Sequence, residues 1–453
     1  MIEDKKHAQI LKNHEMDVSA QKAVRDERIP DLAFARWSQL DDNQNDACTT
    51  EFKGQFDIIS RERKHVQAEF RQNEVDVQFR TKDGDNDELD DLMQGKYRTD
   101  TRLSKAKQCF HIAQDDAMDC GFGAWRLHTE ENDPEDSLST EKDIAFSPII
   151  EAVRRVFFDL NAKLYDKSDA MRCSVLTSYS QDAYKQFLED EGIDEDEAGF
   201  TSFSTPYRSI YEQFYNLKMS SPLYAAGNKE INLLEYYEIS HEKEVVYQYL
   251  TVGDDGQEKI IAMPKKEAKA MDAPAPFNKK TVKVKVCKKY ITNGVKVLKE
   301  STVPGSQIPI VPLYGERNYV DGTENFYGIV KGAKDPQQLF NAAHNYLASL
   351  MMFSPIPKPV YDPREIEGDG EVFEEYLDPN NHENAYMRKN KYYEDNGQVY
   401  QFGPEYTQPA PVPPAVGALM QQMPALMDSI LNPGVTEDSF NSNMSGVAMQ
   451  QVR

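Results

Sequence analysis

The chain has 453 residues, with 76 acidic against 52 basic side chains and a formal charge of −24 at pH 7. At roughly 150 residues per domain the length fits two to four domains or one large elongated subunit, and the 39% hydrophobic share is low enough to imply an extended shape or surface buried in an assembly. The acidic excess excludes a protein that grips DNA by neutralising phosphates with Lys and Arg, but not one that lets DNA pass.

The N-terminal sequence carries no apolar run of signal-peptide length, and no uncharged apolar stretch reaches 18 residues, so a soluble protein made in the cytoplasm is expected, with no membrane partner. Residues 1–75 predict helix, with Leu32, Phe34, Ala35 and Trp37 at helical spacing. An acidic turn at 83–91 leads into one helix of roughly thirty residues from Glu88 to Cys120, closed by Gly121 as a C-cap. From Ala124 to Val175 short strands are expected, among them AWRLHT (124–129) and RRVFFDL (154–160), around the turn-rich stretch 161–170. Residues 180–197 predict a helix running into an acidic loop. Residues 230–300 are strand-rich, with a hairpin whose Asn293-Gly294 suits a type I′ turn. After an extended segment at 301–315 comes the clearest helix, 335–354. Asp335 is its expected N-cap and Pro336 its first helical residue, and Leu339, Ala343, Tyr346, Leu350 and Phe353 recur at three- or four-residue steps. Two short strands are expected within 355–416, and a second helix, Ala415 to Leu431, contains Pro424. The last twenty residues are polar and weakly charged.

Motifs for chemistry fail one by one. Asp83, Asp85 and Asp87 have the spacing of a calcium loop, but Glu88 replaces its glycine and Gln94 its bidentate glutamate. Gly121-Phe122-Gly123 lacks the third glycine of a dinucleotide fingerprint and runs from helix to strand, the reverse of that motif. There is no P-loop, HExxH or GxSxG. The eight histidines lack metal spacing, and His111 and His344 read as polar or core-edge residues. Cys48, Cys109, Cys120, Cys173 and Cys287 include no CxxC pair and read as reduced thiols. No catalytic residue, metal or cofactor is expected. Two charge features remain. Residues 279–300 hold eight lysines and one acid, and Val282, Val284 and Val286 alternate with Lys283 and Lys285. With Lys288 and Lys289 these lysines form either a solvated strand face or a basic patch for DNA or an acidic neighbour. Residues 361–400 hold eleven acids and four bases.

The segments FKGQFD (52–57), RQNEVDV (71–77), KDG (82–84), LMQGKYRTDTRLSKAK (92–107), GFGAWRLHT (121–129), NAKLYDKSDAMRC (161–173) and IPIVPLYGER (308–317) closely resemble the portal proteins of short-tailed, podovirus-type enterobacterial phages. Order and spacing agree across about 50–320. The resemblance implies an α+β, elongated portal-type subunit with a mixed α/β wing, a two-helix stem and a small α/β clip. Mapped on this chain, the wing is 1–330, with a helical N-terminal part and a strand-rich 124–315. The stem helices are 335–354 and 415–431, the clip is 355–414, and the tunnel loop and start of a crown are 432–453. It also implies a ring, usually of twelve subunits, at one capsid vertex, through which double-stranded DNA passes without being tightly bound. The implied partners are the terminase large subunit, then a head-completion or tail adaptor, together with coat and scaffolding proteins. The place is the virion, assembled in the cytoplasm of the bacterial host. On this mapping Ser439, Asn441, Ser442 and Asn443 approach the DNA channel, while Glu371, Glu374, Glu375 and Asp378 of the clip dock the terminase and adaptor. Relatives continue past the position of Arg453 into a crown and helical barrel, so the sequence is either a portion of a longer chain or a shortened portal. A capsid or connector subunit that does not enclose DNA is the competing reading, and a metal-dependent hydrolase built on an acidic cluster a third.

Overall fold

The computed structural model describes residues 2–40, 53–73, 77–81, 87–131, 142–198, 231–252, 258–264, 276–353, 359–360, 393–395, 398–400, 405–406 and 414–431. It is a mixed α+β chain in two compact units, Met1–Asp42 with Ile59–Lys334, and Asn43–Ile58 with Asp335–Arg453.

In the first unit a 35-residue helix, α1 (Ile2–Arg36), contributes Ile10, Ile29 and Leu32 to one core. They meet Phe122 of β1 (Phe122–Glu131), Phe157 of β3 (Val156–Phe158) and Tyr236 of β5 (Ile231–Val252). Arg25 of α1 is 1% exposed in that core. Its guanidinium lies 4.4 Å from the Phe157 ring, donates to the Val156 carbonyl at 2.6 Å and to that of Val153, and is held by Gln21 Oε1 at 2.6 Å. A buried charge is tolerated there because its donors are aimed at carbonyls and its planar face covers a ring.

After α2 (Ile59–Gln72), the expected single helix from Glu88 to Cys120 is instead two, α3 (Asp87–Leu103) and α4 (Ala106–Cys120). The break has a local cause. Thr101 and Ser104 turn their hydroxyls back on the carbonyls of Tyr97 and Asp100, which loosens the last turn. Lys105 then takes a left-handed φ of 53°.

Gly121 caps α4 as expected, with φ 93° and its N–H donating to the Ala117 carbonyl at 2.8 Å. Gly123 serves close packing: a Cβ there would stand 1.8 Å from the Ala113 carbonyl oxygen, so only glycine lets β1 lie against α4. The first sheet orders β2 (Lys142–Ile149), β1 and β9 (Ile310–Tyr314), all antiparallel. RRVFFDL is shorter as a strand than expected, because Ala152–Arg155 forms one helical turn, α5, before β3.

The second sheet runs β3, β4 (Arg172–Tyr179), β5, β7 (Asn278–Thr292), β8 (Val297–Val303), with β6 (Glu258–Pro264) also on β5. Ser180 caps α6 (Gln181–Asp190), its side chain accepting from Ala183 N; α7 (Glu195–Ala198) follows. The β7–β8 turn is not type I′. Thr292 pairs with Val297, leaving a four-residue loop, and Gly294 has positive φ whereas Asn293 does not. Asn293 is buried instead. Its Oδ1 accepts from Val295 and Lys296 N–H at 3.1 Å each, and its amide donates to the Ala198 carbonyl at 3.1 Å, so side-chain bonding overrides the two-residue turn. A two-residue turn with positive φ at both positions occurs at Asp321-Gly322, between β10 (Glu316–Val320) and β11 (Thr323–Tyr327).

The helix expected at 335 starts earlier. α8 runs Val330–Phe353 with Pro336 inside it, so Asp335 is not its N-cap. Val330 and Ala333, both fully buried, hold the added turn, and the carbonyl that faces the proline ring belongs to Gly332. In the second unit, β12 (Pro359–Val360) pairs with β15 (Glu405–Tyr406) and β13 (Tyr393–Asp395) with β14 (Gln398–Tyr400), four short strands where two were expected. The helix α9 (Pro414–Leu431) contains Pro424 and buries Met423 and Met427.

Candidate nucleic-acid and assembly surfaces

β5 is 22 residues long and outruns its neighbours. Its 231–238 half pairs with β4, and its 246–252 end pairs with β6 along that same edge. Along its other edge it pairs with β7 from Leu234 to Gln248, whereas β8 covers β7 only from Cys287 onward. Residues 240–252, 258–264 and 278–286 therefore make a ribbon that β4 and β8 do not reach.

Strand alternation gives the ribbon two chemistries. Lys279, Lys283 and Lys285 stand opposite Tyr247, Lys243 and His241, so four lysines share one face. On the other, Val282, Val284 and Val286 stand opposite Glu244, Glu242 and Ser240. The expected alternation holds: the three valines are half-buried, and Lys283 and Lys285 are exposed. Lys243 and Lys283 form a directly opposed like-charge pair, an arrangement that costs free energy unless an anion lies over it. The composition of 279–300 could not reveal Lys243, since it joins the patch only through the β5–β7 register.

Lys288 and Lys289 do not belong to that open patch. Lys288 pairs with Glu242 at 3.2 Å. Lys289 reaches Glu235 at 2.9 Å, at the root of the ribbon. Glu235 is 2% exposed and also accepts from Arg126 at 2.9 Å, Thr177 at 2.9 Å and Tyr237 at 3.0 Å. Burial alone would raise its carboxyl, but Arg126 and Lys289 outweigh it and hold it at about 2. Lys299 is likewise paired, with Glu191. Among the described residues Lys283 and Lys285 have no ion-pair partner. The +7 of residues 279–300 thus divides into internal ties and a smaller free face.

α8 presents a second arrangement. Gln337, Asn341, Asn345 and Ser349, four residues apart, are all buried, whereas Leu339 and Tyr346 of the expected apolar stripe are 46% and 42% exposed. The polar stripe binds an extended piece of backbone. Ile58, Phe56 and Gly54 N–H groups donate to Gln337 Oε1 at 3.1 Å, Asn341 Oδ1 at 3.0 Å and Asn345 Oδ1 at 2.8 Å, and Gln337 Nε2 donates to the Phe56 carbonyl at 2.7 Å. The spacings match: alternate strand residues advance about 6.6 Å, and four helical residues about 6.0 Å. Phe56 also packs on His344, ring centroids 4.5 Å apart, so this histidine is a packing residue at the core edge. His111 faces Phe70 in the same manner at 6.2 Å.

Two buried carboxylates of α4 are tied to arginines. Asp119 meets Arg36 and Arg63 at 2.7 Å each, and Asp116 meets Arg36 at 2.8 Å. Cys109, Cys120, Cys173 and Cys287 are buried free thiols. Among the described residues no group of His, Cys, Asp or Glu is arranged to hold a metal ion, and no helix is long and apolar enough to cross a membrane. Glu371, Glu374, Glu375 and Asp378, and Ser439, Asn441, Ser442 and Asn443, lie outside the described residues, as do Cys48, Asp83 and Asp85.

The family model described as phage P22-like portal protein matches residues 11–453. A portal protein of Acyrthosiphon pisum secondary endosymbiont phage 1 is 26% identical over 457 residues, covering 97% of this chain and 60% of that relative. The chain therefore spans about 60% of the length of that curated relative.

Proposed function

The chain belongs to the phage P22-like portal protein family, and from that premise we propose that identical copies close into a ring of twelve that conducts double-stranded DNA during packaging and ejection. The carrying observation is the family match, which runs from residue 11 to residue 453. The family is a structural one and its members are virion components. For this chain we assign no catalytic role and infer assembly in the host cytoplasm.

Physical features favour the reading. A conduit must not bind phosphates tightly, because each neutralised phosphate adds a salt-sensitive term that would brake sliding, and a subunit of charge −24 meets that need. Leu339, Tyr346 and Met351 of α8 and Leu426 of α9 are exposed in one copy, apolar surface of the kind that repeated heterologous contacts would cover. The mapped regions keep their roles as proposals: 1–330 wing, 335–354 and 415–431 stem, 355–414 clip, and 432–453 tunnel loop and start of a crown. Glu371, Glu374, Glu375 and Asp378 are proposed to dock the terminase large subunit and later the adaptor. Unchanged adaptor affinity and salt dependence after reversing Glu374 and Glu375 would remove that assignment. Ser439, Asn441, Ser442 and Asn443 are proposed to approach DNA, and crosslinkers at Asn441 or Asn443 that never capture DNA in filled particles would remove theirs. Lys279, Lys283 and Lys285, joined by Lys243, are proposed to meet DNA or an acidic neighbour, such as a coat or scaffolding protein.

The decisive test is packaging. Heads assembled without this chain should be empty of nuclease-protected DNA, and supplying it should restore filling. DNA-filled heads lacking the chain would contradict the proposal.

A further inference from the structure

A groove of about 800 Å³ opens where α3 breaks from α4. Its walls carry Tyr97, Phe110 and Trp125, and around them stand Arg98, Arg102, Lys105, Lys107 and His111. No Asp or Glu is among its described lining residues, although the chain as a whole has 24 more acids than bases. The left-handed Lys105 creates the feature, because an unbroken helix would carry its basic residues around the axis instead of folding them about a hollow. Such a hollow, apolar inside and cationic at its margin, suits an acidic segment that carries aliphatic side chains.

The first turns of α3 have that chemistry. Leu89, Leu92 and Met93, spaced i, i+3, i+4, are 44%, 65% and 45% exposed, and Glu88, four residues before Leu92, is exposed beside them. At about 100° per residue, this apolar ridge and the groove-lining Arg98, Thr101 and Arg102 lie on roughly opposite sides of the same helix. A rigid helix cannot fold its own ridge into its own groove. Both surfaces occur once per copy, face apart and differ in charge sign, which is the disposition a head-to-tail contact between identical chains requires.

We propose that the α3–α4 groove receives the Leu89–Leu92–Met93 ridge of α3 from a second copy of this chain, with Glu88 meeting Arg102. The contact rests on the ring reading, in which closure converts a head-to-tail contact into a finite assembly. Leu92 and Arg102 are ten residues apart, about 15 Å along one helix, too far for a disulfide within one chain.

The test uses the full chain with Cys48→Ser and a bismaleimide of about 10 Å reach, shorter than the distance within one chain. Leu92→Cys combined with Arg102→Cys should give a ladder of covalent multimers on a denaturing gel, and neither single variant should. Independently, Glu88→Lys and Arg102→Glu should each lower the ring fraction at least tenfold by native mass spectrometry, and the double charge swap should restore it. Rings that form in normal yield with both single reversals and give no ladder overturn this contact while leaving the ring reading intact. A ladder from Leu92→Cys alone indicates a like-to-like contact and also overturns it. A wild-type chain that forms no ring at any concentration overturns both.

Discussion

Arg25 shows how one side chain organises the first unit. It satisfies two carbonyls that bracket the α5 turn and β3, and fills the space against Phe157. Truncating it removes both donors and leaves a cavity, so Arg25→Ala should cost about 3–5 kcal/mol in chemical denaturation; a loss under about 1 kcal/mol would mean the carbonyls find other donors. His14 and Asp116 act on pH in opposite senses. Burial lowers the imidazole to about 4 from 6.5, and raises the Asp116 carboxyl to about 6 from 3.8 against the pull of Arg36. The unfolded chain binds the histidine proton more tightly, so that contribution is present above pH 6.5 and is lost as pH falls towards 4. The folded chain holds the Asp116 proton more tightly, so its contribution is present below 3.8 and is lost as pH rises through 6. Each shift amounts to about 3 kcal/mol, and together they nearly cancel in slope. Relative to wild type, His14→Gln should therefore gain stability at about pH 4.5 compared with about pH 7, and Asp116→Asn the reverse. Urea midpoints at the two pH values check both signs.

At the scale of elements, the Gln337–Asn341–Asn345 ladder fixes how the 53–58 segment lies on α8. Asn341→Leu keeps the volume but strands the Phe56 N–H, and should cost about 1–3 kcal/mol with faster hydrogen exchange at the Phe56 amide. Protection of that amide in the variant would show that the ladder does not hold the segment. These elements also mark where sequence was legible. The valine–lysine alternation of β7 and the Gly121 C-cap are decided within a few residues, and both stand in the structure. What escaped depends on partners far along the chain. Asn293 abandons a two-residue turn because Ala198 offers it a carbonyl. Helix α8 begins before Pro336 because Val330 and Ala333 find a core. Its buried face is polar because a segment nearly 290 residues upstream needs hydrogen bonds (Asn345 to Gly54 spans 291). The i, i+4 spacing of Gln337, Asn341 and Asn345 was visible, but only a backbone lying beside it gives it meaning.

For the whole molecule, the opening imbalance of charge takes a sharper form. Three of the lysines that offset it in 279–300 are spent on Glu235, Glu242 and Glu191, and Lys279, Lys283 and Lys285 gather on one ribbon face with Lys243. Apolar side chains along α3, α8 and α9 stay exposed in a single copy. An acidic subunit with local cationic surfaces and uncovered apolar ridges is suited to assembly with its own kind around a polyanion that must slide. The proposed channel, ring contact and docking lobe all depend on closure around an open axis. Imaging of the purified full chain by electron microscopy, viewed down the particle axis, tests this directly. The account predicts a closed ring with an axial opening wide enough for a DNA duplex; particles without rotational closure, or rings with a filled axis, would contradict it.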